Sequence, residues 1–166
     1  MTTDALLETT PAVTVRAVFD YEQGRPFPLT DAIQKFAGFE SLIYLASIDH
    51  WIGDEPYSGK FSPRDFMNSS CMVRTISYNS PLEIVVGLGV GFSTATLVAN
   101  RLVGVWTNFQ QARQITAKAD LYVTAANVLQ GTLHRPTIKP DDPLTARWSL
   151  AAQVLTELGS MDIEEK

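Results

Sequence analysis

Residues 81–100 read PLEIVVGLGVGFSTATLVAN, and the fold turns on how that stretch is divided. In one division a helix starts at Pro81, and Ile84, Leu88, Phe92, Ala95, Ala99, Leu102, Trp106 and Phe109 recur at steps of three and four, the helical period. Gly87, Gly91, Ala95 and Ala99 then fall at strict intervals of four on one face, where small side chains let a second backbone approach closely. Glycine is costly in a solvated helix, so such a face needs a close contact to offset it. In the other division, residues 82–86 are a strand, 87–91 a break, and a helix begins near Ser93. Our expectation is the first: one long helix, or two joined by a kink, continuing through Ala112, Thr116, Ala119, Val123 and Ala126.

The charge distribution supports burial of this region. Residues 84–133 carry four formal charges, Arg101, Arg113, Lys118 and Asp120. A lone surface helix needs a solvated face, so the scarcity calls for cover by another helix, another subunit or lipid. A continuous helix over these residues would span about 75 Å, too long for a compact domain of this size, and would have to protrude, bend or find partners. Residues 84–100 are uncharged between Glu83 and Arg101, and Trp106 stands where an interfacial anchor would lie. Membrane association through 84–106 is therefore the alternative. The glycines and hydroxyl residues weaken it, and the basic residues that follow would place the C-terminal side in the cytoplasm, leaving the head to be exported.

On the N-terminal side, residues 12–21 (AVTVRAVFDY) alternate Val13, Val15, Ala17 and Phe19 with Thr14, Arg16, Val18 and Asp20, the period of a half-buried strand. Residues 30–39 predict a short amphipathic helix on Ile33, Phe36 and Ala37, capped by Thr30 or Asp31 and ending near Gly38. Residues 41–50 (SLIYLASIDH) and 70–78 (SCMVRTISY) read as two further strands. The connection between them carries Trp51, Tyr57, Phe61 and Phe66, too aromatic for a plain linker and a candidate binding surface.

On the C-terminal side, Pro136, Pro140 and Asp141-Asp142-Pro143 mark a linker, with Asp142 as N-cap and Pro143 as the first helical residue. Leu144, Trp148, Ala151, Val154, Leu155 and Leu158 line one helical face before Gly159 stops it. Residues 162–166 are expected as a solvated acidic tail.

The predicted class is therefore α+β: a small N-terminal antiparallel sheet with one short helix at 11–81, a long charge-poor helical region at 82–133, a linker at 134–143 and an amphipathic helix at 143–159.

Motifs for chemistry are sparse. Strand, GLGVG and helix imitate a dinucleotide fingerprint, but Phe92 occupies the third glycine position and no acid-ended second strand follows. Ser58-Gly59-Lys60 lacks the spacing of a phosphate-binding loop. Asp49 and His50 are neighbours on a predicted strand and so point to opposite faces, and His134 lies in a proline-flanked loop without an evident partner. Cys71 stands alone within Cys71-Met72-Val73, excluding an intrachain disulfide and reading as a buried small hydrophobe. No catalytic residue, metal ligand or cofactor is expected. A net charge of −5 gives no general attraction to phosphate backbones, so nucleic acid is not an expected partner. The opening MTTDALLETT lacks a basic n-region and apolar core, so a secretory signal is not expected and the sequon at Asn68 is idle.

These features predict a cytoplasmic, non-enzymatic interaction or assembly protein, self-associating or packing with partner helices through Gly87, Gly91, Ala95 and Ala99. The alternative is a membrane-associated toxin, defence effector or envelope component, and a third reading is a small enzyme with a site in the Asp49 to Glu55 segment around His50.

Overall fold

The computed structural model of the chain describes residues 13–20, 28–54, 71–77, 81–88, 92–133 and 145–165. The elements run β1 (Val13–Phe19), α1 (Leu29–Asp54), β2 (Cys71–Ser77), β3 (Leu82–Leu88), α2 (Phe92–Arg113), a 3₁₀ turn (Lys118–Asp120), α3 (Leu121–Thr132), α4 (Thr145–Glu157) and β4 (Ser160–Glu165). The class is α+β, with a four-stranded antiparallel sheet in the order β2-β3-β1-β4.

The alternation in β1 decides which face of the sheet is covered. Val13, Val15, Ala17 and Phe19 are buried and stand in register with Leu88, Val86, Ile84 and Leu82 of β3, all buried as well. Arg16 and Glu83 on the opposite face remain partly exposed and form an ion pair at 2.8 Å. The helices supply the rest of one core, in which Phe19, Phe39 and Phe109 are fully enclosed; each contributes about 1.5–3 kcal/mol of apolar burial.

Residues 82–88 form a strand and α2 begins at Phe92, so the second division of the opening stretch is the one that holds. The β-branched run Ile84-Val85-Val86 completes the sheet between β1 and β2, which outweighs the helical spacing of Ile84 and Leu88. The segment 84–106 is accordingly split between a strand and a helix. Among the described residues no helix is long and apolar enough to cross a membrane.

The charge-poor region buries only part of itself: α2 sends one stripe into the core and α3 contributes Ala125 and Leu129, while Val103, Ile115, Tyr122 and Val123 stay exposed. Ala117 adopts an extended conformation (φ −62°, ψ 143°) that ends helical continuity after α2, and α3 folds back so that Asn108 Nδ2 donates to Thr132 Oγ1 at 3.0 Å. Ala95, Val98, Ala99, Leu102, Val105, Trp106 and Phe109 make the buried stripe of α2, retaining the expected period C-terminal of the break.

Two further expectations are corrected. Residues 41–50 are not a strand: α1 passes through Gly38 and continues to Asp54. Ser41, Leu42, Ile43, Leu45, Ala46 and Ser47 are all buried there, so the helix is enclosed almost all round and shows no polar period in sequence. Of the expected solvated tail 162–166, Lys166 lies outside the described residues and the rest is a strand. Asp162 to Glu165 belong to β4, which pairs along β1 after Gly159 N–H donates to Val18 O at 2.8 Å. Met161 is buried and Ile163 half-buried, while Asp162 and Glu164 are exposed, an alternation that a short acidic segment conceals. The expected C-terminal helix is present as α4 and ends at Glu157, two residues before the predicted end; the linker 134–143 with its expected cap at Asp142, and Leu144, lie outside the described residues.

Candidate interaction surface

α1 crosses the covered face of the sheet beside its β2 end, and between them lies a cleft of about 210 Å³. Phe36, Phe39, Glu40 and Ile43 form the helix wall; Cys71 and Val73 of β2 form the strand wall, with Ile84 and Val86 of β3 as the floor. Their juxtaposition follows from register: Cys71 stands opposite Leu88 and Val73 opposite Val86, so both strand residues face the helix layer. Between Val73 and Thr75 the register shifts, leaving Arg74 as the extra residue of a β-bulge.

The cleft opens outward. Val73 shares its face with buried Val86, yet is 57% exposed; its neighbour Met72, opposite Gly87 on the other face of the sheet, is also more than half exposed. On α1, Ile33 and Leu29 lie one and two turns before Phe36 and are 58% and 74% exposed, extending the apolar wall along the helix. Large apolar side chains exposed beside an open cleft favour contact with a protein or a membrane.

The wall is rigidly held. Gly38 lets α4 approach so closely that a Cβ there would lie 2.6 Å from Val154 Cβ and 2.8 Å from the Leu150 carbonyl oxygen. Arg147 Nη1 of α4 donates to both carboxylate oxygens of Glu40, at 2.8 and 2.7 Å, and its guanidinium carbon lies 3.9 Å from the Tyr44 ring centroid. Lys35 pairs with Glu157 across the same two helices, and burial lowers its pKa below the ordinary lysine value.

The electrostatics of the cleft do not favour proton transfer or nucleophilic attack. Burial, reinforced by the negative Glu40, pushes the Cys71 thiol up to about 12, so it stays protonated at neutral pH. Glu40 is engaged by Arg147. Among the described residues no group of three or more His, Cys, Asp or Glu side chains could hold a metal ion. The volume also falls below the ~300–1000 Å³ typical of small-molecule sites and suits anchoring side chains better.

The residues expected to act together are placed as follows. Gly87 is not on a helix: it lies in β3, opposite Thr14 of β1 and Met72 of β2. Ala95 and Ala99 lie on α2, buried in the chain's own core. Gly91 lies outside the described residues. The four therefore do not form one helical face, because the strand ends the periodicity at Leu88. Trp51 lies in the last turns of α1, together with Asp49 and His50, while Tyr57, Phe61 and Phe66 lie outside the described residues. The sequence predicts Ile33 on the apolar face of a short helix and Met72 and Val73 within a strand, none of them as binding residues; the consecutive apolar pair Met72-Val73, which faces both ways from an edge strand, is the available signal.

No protein-family model, curated protein or solved structure matches this chain.

Proposed function

We propose that this chain is a non-enzymatic interaction or assembly module that self-associates, using the open apolar cleft between α1 and β2 in place of the small-residue helix face expected from sequence. The observation that carries this reading is Val73, which faces the helix layer from the sheet's edge strand and yet is more than half exposed above the cleft. Burying such an apolar edge in an interface releases water from it at about 25 cal/mol per Å². The protonated Cys71 and the engaged Glu40 support a binding role over a catalytic one.

Amide hydrogen exchange tests the reading directly. Exchange over 71–77 and 29–36 is expected to slow as protein concentration rises, while the α2 core is unchanged. Exchange that is independent of concentration throughout the chain would contradict self-association.

A further inference from the structure

We propose that β2 of one copy pairs antiparallel with β4 of the next, so that copies add head to tail into one continuous sheet; this rests on the self-association reading above and names its geometry. Among the described residues, β2 pairs with β3 alone and β4 with β1 alone, so these two strands are the edges. Successive antiparallel pairings make β2 and β4 run in opposite directions. A copy displaced sideways in the plane of the sheet therefore offers its β4 to β2 in antiparallel orientation, with its helices on the same side.

The faces match under that displacement. Cys71, Val73 and Ile76 of β2 register with Leu88, Val86 and Ile84 and so face the helix layer, as do Met161 and Ile163 of β4, which register with Ala17 and Val15. Apolar residues of the joint would meet on the helix side, covering Val73 and closing the cleft. Charge separates this joint from its rivals. Arg74 is the one charged residue of β2, whereas β4 carries Asp162, Glu164 and Glu165 and no base. A β2–β2 joint brings two arginines together and a β4–β4 joint brings acids together, while β2–β4 sets base against acid. The bulge and charge at Arg74 also suppress indiscriminate pairing at an edge, which leaves an acid-bearing strand as the favoured partner. Because the joined surfaces differ, the contact is heterologous and gives rings or filaments in place of a closed dimer.

Sedimentation velocity on the full chain, on Arg74→Glu, on Glu164→Lys and on their equimolar mixture provides the test. Both side chains are exposed; Glu164 stands opposite Thr14 and diagonal to Arg16, whose closer partner Glu83 is untouched by either substitution, so circular dichroism is expected to report an unchanged fold. Each variant alone should need about tenfold more protein to assemble than the wild type, and the mixture should recover assembly, since Glu at 74 then meets Lys at 164. The wild type supplies a second reading without substitution: its assembly should weaken as salt is raised from about 0.05 to 0.5 M. Assembly of the wild type that neither substitution nor salt alters overturns the β2–β4 joint and leaves self-association standing. A Glu164→Lys chain that behaves as wild type while Arg74→Glu does not would indicate a β2–β2 joint and overturn it too. A wild type that stays monomeric overturns both.

Discussion

Gly38 of α1 and Val154 of α4 meet where no side chain separates them: a Cβ built on Gly38 would sit 2.6 Å from Val154 Cβ. That contact brings together the two helices that the Lys35–Glu157 and Arg147–Glu40 ion pairs also link. Ala in place of Gly ordinarily stabilises a helix by about 0.5–1 kcal/mol, but the 2.8 Å approach to the Leu150 carbonyl oxygen is backbone and cannot rotate away. Gly38→Ala is therefore expected to lower unfolding free energy in urea by about 1–3 kcal/mol. A stabilised Gly38→Ala would show that α1 and α4 are farther apart than described.

Ala99 offers a contrast between intramolecular and intermolecular packing. It is 1% exposed within the chain's own core, so Ala99→Leu is expected to cost about 1–3 kcal/mol by overpacking, measured by denaturant titration under dilute, monomeric conditions. If Ala99→Leu left monomer stability untouched and abolished association, the helix face would be the interface after all.

Arg147 joins two interactions that a lysine cannot reproduce together, the fork onto Glu40 and the stacking on Tyr44. Arg147→Lys is expected to cost about 1 kcal/mol, a value kept small by the partial exposure of both ion-pair partners. Equal stability of the two chains would mean that the fork and the ring contact add nothing beyond a point charge.

For Cys71, a folded-state pKa raised to about 12 means that the native state holds its proton where the unfolded state releases it. Its contribution to stability is fully present below the unfolded thiol value of roughly 8.5, falls as pH rises above it and levels off near the folded value. At pH 8 alkylation by iodoacetamide should run at least about a hundredfold slower in the native chain than in urea. Comparable rates in the two states would place the thiol in solvent.

What the sequence made legible follows from how each element is buried. β1 has one face in the core and one outside, so its two-residue alternation was plain in residues 12–21. The buried face of α4 and the stop at Gly159 were readable for the same reason. α1 was truncated because Gly38, placed for close approach to α4, looks like a terminator, and because burial on nearly all sides erases the helical period over 41–47. The stretch 82–88 satisfies helical and strand spacing together, and only its pairing with both β1 and β2 decides between them. The cleft was hidden for a different reason: its walls come from α1, β2 and β3, and the exposure of Val73 depends on where a helix distant in sequence crosses the sheet.

Light scattering after size-exclusion chromatography over a hundredfold concentration range, comparing the wild type with Val73→Asp, decides whether Val73 lies in a self-association surface. The wild-type mass should climb above the monomer value with concentration while the Val73→Asp chain, equally folded by circular dichroism, remains monomeric. A wild type fixed at monomer mass would rule out self-association, and a Val73→Asp chain that associates as readily would place Val73 outside the interface.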